Sequence, residues 1–197
     1  YGGPLIGLDF HAACALTPTA HALLARATLY FKRELPLDRR ALLPAGTAAQ
    51  RALLAHHAHK LRPVSLGLAP WRIAELPAEP PEKSVDIFFA GALRDGSAVR
   101  RQGAALRTHH GDESHRIGLA GQRLARAENL ARTARAWLVW SPSGLGWQCF
   151  RHFEALAAGS VPLIDRATVE MPDPLLPDEH CLAYEPAGDD LLRVARA

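Results

Sequence analysis

The chain has 197 residues, of which 48% are hydrophobic and 22% are charged, and its formal net charge is +3. These values are ordinary for a soluble globular protein. Acidic and basic residues are interspersed, so no basic stripe indicates a nucleic-acid partner. No apolar run reaches the roughly 18 to 20 residues that are needed to cross a bilayer.

The three cysteines, Cys14, Cys149 and Cys181, are odd in number and lack the spacing of a metal site. A reducing compartment explains such cysteines most simply. No signal peptide is visible, and we expect a cytoplasmic protein, with contact at the inner face of a membrane left open. The small positive charge favours an anionic ligand or membrane surface only slightly.

The N-terminal segment, residues 1–10, contains a glycine turn and a short apolar stretch beside Asp9 and His11. An acid and a histidine at a strand end are candidates for a catalytic pair, although capping or surface exposure explains them more simply. Thr17-Pro18-Thr19 predicts the start of a helix. Residues 28–35 then predict a strand that ends in charged residues.

Residues 51–62, RALLAHHAHKLR, predict a short basic helix. This helix contains three histidines, His56, His57 and His59. No acidic residue is adjacent to complete a ligand set, and no metal is expected there. The proline-rich segment 76–84 predicts a linker between a first domain, residues 1–75, and a second domain, residues 85–197.

The apolar run VDIFFA, residues 85–90, predicts a buried strand that Gly91 and Arg94 follow closely. Ligands of parallel sheets bind at the carboxyl ends of strands, so these two residues are candidates for contact with a diphosphate. Arg100 and Arg101 are weaker candidates of the same kind. A solvated arginine is the simpler explanation for each.

Two further helices are expected, at about 97–107 and within 122–135, and the second has arginines around an apolar face. The segment 109–115 contains histidines and acids of types that suit a metal. Their spacing matches no metal site, and a loop is the simpler interpretation.

Residues 136–165 predict a strand, a loop, a helix and a second strand, which together form a right-handed βαβ unit. The loop contains residues that break regular structure, namely Ser141, Pro142, Ser143, Gly144 and Gly146. The helical pattern begins at Trp147, and Gly159 stands where a helix ends.

A glycine loop that enters a helix suits a phosphate group. We therefore expect free N–H groups between Gly144 and Trp147 to face a diphosphate. Glu154 is placed further along the helix to accept hydrogen bonds from a ribose diol. An ordinary i,i+3 ion pair between Arg151 and Glu154 is the simpler explanation.

The segment 141–164, SPSGLGWQCFRHFEALAAGSVPLI, resembles the nucleotide-binding signature of GT-B glycosyltransferases, especially the exostosin-like group. The matching residues are Arg151, Glu154, Ala155, Gly159, Val161 and Pro162. In that family the glutamate contacts the ribose of the nucleotide-sugar, and the helix N-terminus faces its diphosphate. Retaining relatives carry a second glutamate where this chain has Gly146, so the stereochemical outcome stays open.

The resemblance extends more loosely from about Ala27 to the C-terminus. Tyr30-Phe31-Lys32-Arg33 is similar to a segment late in the N-terminal domain of these transferases. Lys32 and Arg33 are therefore candidates for contact with phosphate or with an acidic acceptor. Solvated charge at a strand end is the simpler explanation.

The resemblance implies a doubly wound parallel α/β sheet, Rossmann-like and equivalent to the C-terminal half of a GT-B enzyme, with a partial N-terminal segment. It implies glycosyl transfer from a nucleotide-sugar, with a UDP-sugar as the expected donor, to an unidentified saccharide, lipid or protein acceptor. No metal or other cofactor is expected. GT-B enzymes have two such domains and this chain has room for little more than one, so an incomplete fragment is expected. The general base is expected in the N-terminal segment and is not identified, with Asp9 and His11 as weak candidates. Two other classes stay open, a sugar-nucleotide epimerase and a non-catalytic nucleotide-sugar-binding domain.

Overall fold

The computed structural model describes residues 3–91, 117–120, 124–186 and 190–195. The chain forms two compact units, each built from three stretches. The first unit comprises Tyr1–Leu66, Leu145–Gln148 and Ala167–Pro174. The second comprises Gly67–Gly144, Cys149–Arg166 and Leu175–Ala197. The chain thus enters the second unit ahead of the segment 76–84, whose role as a domain linker stays a prediction.

Three parallel strands form the sheet of the first unit, in the order β1-β2-β3. They are β1 (Ile6–Asp9), β2 (Leu29–Lys32) and β3 (Leu61–Pro63). Helix α1 (Pro18–Arg26) connects the first two strands, and helix α2 (Ala48–His57) precedes the third. Short 3-10 helices span Arg39–Leu42 and Ala58–Lys60.

Local signals set the ends of these helices. The Thr17 hydroxyl accepts a hydrogen bond from the Ala20 amide, and Pro18 occupies the first turn, so the helix start predicted from Thr17-Pro18-Thr19 is confirmed. Thr47 and Gln50 form a capping box at the start of α2. The core of this unit is aliphatic apart from one tyrosine: Leu16, Leu24, Ala27, Tyr30, Leu35, Leu42, Leu54 and Leu61.

Five parallel strands form the sheet of the second unit, in the order β5-β4-β6-β7-β8. They are β4 (Val85–Ala90), β5 (Ile117–Ala120), β6 (Ala136–Trp140), β7 (Val161–Asp165) and β8 (Leu182–Tyr184). The described helices are α3 (Pro70–Ile73), α4 (Arg126–Ala134), α5 (Phe150–Ala157) and α6 (Leu191–Ala195). The predicted α/β class with a parallel sheet is confirmed.

Successive residues of a strand point to opposite sides of a sheet, so neighbouring residues show how each face is packed. Phe89 packs with Trp140 and with Leu191 of α6 on one face. Phe88 packs with Ala155 of α5 on the other face. The sheet is therefore covered by helices on both sides, as a doubly wound sheet requires.

Helix α5 begins later than the sequence predicts. Its first helical residue is Phe150, with Cys149 in the N-cap position, and not Trp147. The aromatic spacing that indicated a helix at Trp147 has another cause, since Trp147 is buried within the first unit. The predicted end is confirmed: Gly159 has φ +69, and its amide and that of Ser160 bond back into the last turn.

Candidate functional site

The order of strands reverses between β4 and β6, which makes their carboxyl ends the topological switch point of the second sheet. Gly91 follows β4 there, and Ser141 follows β6. Ligands of open parallel sheets bind in the crevice outside such a point. The candidate site is therefore built from the second-unit residues around these two strand ends.

Gly91 and Arg151 lie together at this edge. The Arg151 Nη2 donates to the Ala90 carbonyl oxygen at 3.2 Å, and its guanidinium carbon lies 4.9 Å from the centre of the Phe89 ring. A Cβ on Gly91 would lie 3.0 Å from the Phe89 ring and 3.3 Å from Arg151 Nη2. The absence of a side chain at Gly91 thus makes room for the arginine.

Ser141 and Ser143 are held by neighbours in the second unit. The Ser141 hydroxyl lies 2.8 Å from His152 Nδ1 and is fully buried. The Ser143 amide donates to Asp165 Oδ1 at 2.7 Å. Burial raises the pKa of Asp165, although the hydrogen bond from Ser143 opposes that rise. Gly144 closes this loop as its last residue in the second unit.

Glu154 pairs with Arg72, an arginine that sequence reasoning missed. Arg72 Nη1 lies 2.6 Å from Glu154 Oε1, and the two side chains are 19% and 8% exposed. The guanidinium of Arg72 also lies 3.9 Å from the centre of the Phe150 ring, over the first turn of α5. This contact with α3 differs from the pair predicted within the helix, between Arg151 and Glu154.

Gly146 and Trp147 do not join the residues of the second unit. They belong to the first, where the Trp147 amide donates to Glu34 Oε2 at 2.8 Å and the Gln148 amide to Glu34 Oε1 at 3.1 Å. Glu34 is fully buried. The expectation that the Trp147 amide is free to face a diphosphate is therefore wrong, because this amide donates its hydrogen bond to the Glu34 carboxylate.

Asp9 is one of the two weak candidates for a general base. Its Oδ2 lies 3.1 Å from Lys32 Nζ and accepts a hydrogen bond from the Tyr30 hydroxyl at 3.0 Å. Its Oδ1 accepts the His11 amide at 2.9 Å. Burial raises the pKa of Asp9, but the His11 amide and Lys32 outweigh it and leave the pKa below its ordinary value.

Lys32 is fully buried, so solvated charge does not explain it. Its ammonium group contacts Asp9 and donates to the Ala13 carbonyl oxygen at 3.0 Å. His11, the other candidate base, is exposed, and its ring Nδ1 accepts the Ala13 amide at 3.2 Å. The Asp9 carboxylate therefore forms a buried ion pair with Lys32 within the first unit.

Several remaining predictions concern arginines and metal ligands. Arg94, Arg100, Arg101 and the segment 109–115 lie outside the described residues. Within the part of the chain that the structure describes, no group of three or more His, Cys, Asp or Glu side chains is arranged to hold a metal ion. The His59 Nδ1 lies 3.0 Å from the His56 carbonyl oxygen, a local contact of the helix end.

No protein-family model matches the chain, and no curated protein matches it. Among the described helices, none combines the length and the apolar character that a membrane span requires.

Proposed function

We propose that the second unit binds the nucleotide part of a nucleotide-sugar, and that the protein is a glycosyltransferase with a UDP-sugar as its donor. The observation that carries the proposal is the ion pair between Glu154 of α5 and Arg72 of α3, with the Arg72 guanidinium over the first turn of α5. It sets a carboxylate beside a guanidinium on the helix that follows β6 of the parallel sheet. Such a pair offers acceptors for ribose hydroxyls and a donor for phosphate oxygens.

Charge at the start of α5 supports a diphosphate in this place. Arg72 covers the first turn, and Arg151 reaches the Ala90 carbonyl at the end of β4. Two guanidinium groups and the positive end of the helix dipole stabilise negative charge as it develops on a departing diphosphate. Glycosyl transfer requires stabilisation of the departing diphosphate. In the proposed site the two arginines and the helix dipole provide it, without the Trp147 and Gln148 amides, which donate hydrogen bonds to Glu34.

The test uses UDP and radiolabelled UDP-glucose with the whole chain. We expect UDP to bind in a calorimetric titration, and movement of the labelled sugar to an added acceptor or to water supports a glycosyltransferase. Binding without turnover supports a non-catalytic nucleotide-sugar-binding domain, and a changed sugar that is still attached to UDP supports an epimerase. If the folded protein binds no UDP, the nucleotide proposal is wrong.

A pair of variants makes the titration specific. Arg72→Ala removes the guanidinium over α5, and Arg40→Ala removes an exposed arginine that pairs only locally with Asp38 in the first unit. We expect weaker UDP binding in the first variant and unchanged binding in the second. Equal loss in both would indicate nonspecific attraction of an anion to positive charge.

A further inference from the structure

Cys149 lies at the start of α5, with its sulfur between a serine and a histidine. The sulfur is 3.3 Å from Ser141 Oγ and 3.6 Å from His152 Nδ1. Ser141 and His152 are fully buried, whereas Cys149 is partly exposed. Cys149 is therefore the least buried of the three residues, and the two groups that contact its sulfur are shielded from water. The nucleotide proposal assigns no role to Cys149 or His152.

The surroundings of Cys149 favour the thiolate over the thiol. The residue is the N-cap of an eight-residue helix and makes no capping hydrogen bond with its side chain, so the sulfur lies at the positive end of the dipole. Burial raises the pKa of the thiol, but His152, Arg151 and Ser141 together lower it to about 6. The Asp165 carboxylate interacts with His152 and is the acidic group that we consider with this cluster.

The other two cysteines of the chain provide internal comparisons. Burial raises the pKa of Cys14, and nearby Glu34 raises it further. Burial likewise raises the pKa of Cys181 to about 11. Cys14 is partly exposed, like Cys149, and Cys181 is buried. Because the two residues are similarly exposed, a difference in reactivity between Cys149 and Cys14 reflects the charges around each sulfur more than its exposure to solvent.

We propose that Cys149 is a reactive thiolate, with His152 as its proton acceptor, and that hydroperoxides oxidise it to a sulfenic acid. The inference does not depend on nucleotide binding. It rests on a nucleophile, a base and a hydrogen-bonding hydroxyl in mutual contact, of which the residue that carries the nucleophile is the least buried. Hydrogen peroxide is the simplest oxidant of the class that the site would accept.

The chemical step balances with peroxide as the sole oxidant. The thiolate sulfur attacks one peroxide oxygen, a sulfur–oxygen bond forms, and the oxygen–oxygen bond breaks. The departing hydroxide takes the proton that His152 accepted from the thiol and leaves as water. Sulfur loses two electrons and the peroxide gains them. His152 ends neutral, and until that transfer its buried ring holds the proton beside the sulfur.

The first test measures alkylation by iodoacetamide as a function of pH, followed at each cysteine by mass spectrometry of peptides. We expect a midpoint near 6 for Cys149 and one above the ordinary thiol value of 9.0 for Cys14. At pH 7 the larger thiolate fraction outweighs the lower intrinsic nucleophilicity, and Cys149 should react roughly three- to tenfold faster. A midpoint for Cys149 at or above that of Cys14 would overturn the proposal.

The second test adds hydrogen peroxide in the presence of dimedone, which traps sulfenic acids. We expect the adduct at Cys149 and its loss in Cys149→Ser. His152→Gln, if folded by circular dichroism, should raise the alkylation midpoint by at least one pH unit, whereas a purely structural role of His152 predicts no change. If that variant does not fold, the alkylation midpoint of Ser141→Ala is compared with that of the wild type instead. Equal adducts at Cys14 and Cys149 would refute the proposal.

Discussion

At the residue scale, the proposed nucleotide site depends most on Glu154, and the contact of Glu154 with Arg72 determines what a substitution measures. The carboxylate is 8% exposed and bonded through Oε1 to a guanidinium that is itself largely covered. Truncating it removes an acceptor and also leaves Arg72 without that partner. Affinity and stability must therefore be measured together.

We predict that Glu154→Ala weakens UDP binding by roughly 10- to 150-fold. A carboxylate that accepts ribose hydroxyls makes charge-assisted bonds worth about 1.5–3 kcal/mol, and 1.4 kcal/mol corresponds to one decade. Glu154→Gln keeps one acceptor oxygen without the charge, so its affinity should lie between those of the wild type and Glu154→Ala. Titration calorimetry and thermal melts of each variant provide the measurements.

Glu128→Ala is the matched control for this prediction. Glu128 pairs with Arg132 along the exposed side of α4 in the same unit, a pair worth a few tenths of a kcal/mol. We expect no change in UDP affinity and a change of less than about 0.5 kcal/mol in the free energy of unfolding. Unchanged affinity in a folded Glu154→Ala would remove the basis for assigning Glu154 to the nucleotide.

The sequence predicted which residues belong to the candidate site better than it predicted which residues they contact. Glu154 and Arg151 stand in a recognisable pattern, but the partner of Glu154 is 82 positions away in the chain. The sequence carries no periodic signal that links α3 to α5, since Arg72 lies in a helix of only four residues. The same holds for Glu34, which accepts the Trp147 amide across 113 positions.

At the scale of elements, the segment 145–148 departs most from expectation. A glycine loop ahead of a helix suggests close approach to a phosphate, and here the close approach is to the protein itself. A Cβ on Gly146 would lie 2.5 Å from the carboxyl carbon of Glu34 and closer still to the Ala12 carbonyl oxygen. The glycine is required by packing within the first unit.

We therefore predict that Gly146→Ala lowers the free energy of unfolding by about 1–3 kcal/mol, the usual cost of overpacking a tight site. The Ala12 backbone and the buried Glu34 carboxylate leave little freedom to relax. Gly3→Ala is the control, since a Cβ there meets nothing within 4 Å, and its effect should stay below about 0.5 kcal/mol. Urea unfolding followed by circular dichroism measures both. Equal effects would show that the protein relieves the crowding at Gly146 without cost.

Elements with local signals were predicted well. The strand at 85–90 was found within its predicted bounds, and the caps at Thr17 and Gly159 act as their residue types indicate. The start of α5 was misplaced, because the apolar position of Trp147 fits a helical period and also fits burial elsewhere. Periodicity reports that a side chain is buried, and it does not report which neighbours bury it.

At the scale of the whole molecule, charge balance at the proposed site predicts binding without a divalent metal. Arg151 supplies fixed positive charge at the start of α5, and Arg72 adds a guanidinium there that pairs with Glu154, whereas a diphosphate would otherwise need a metal ion to neutralise it. We expect the dissociation constant for UDP to change less than about twofold when EDTA is added. A calorimetric titration with EDTA, with Mg²⁺ and with Mn²⁺ makes the comparison. Binding that appears only with a metal would contradict this account of the site.

The path of the chain also limits whether either unit can be exchanged as a continuous stretch of sequence. Each unit draws on three stretches of sequence, and Leu145–Gln148 returns to the first unit after the chain has entered the second. A single recombination crossover between Leu66 and Gly67 would separate the Glu34 carboxylate from the amides of Trp147 and Gln148. A buried carboxylate that loses its donors is costly. An exchange of residues 1–66 alone would therefore leave the buried Glu34 carboxylate without the Trp147 and Gln148 amides, and neither unit is one continuous stretch of sequence.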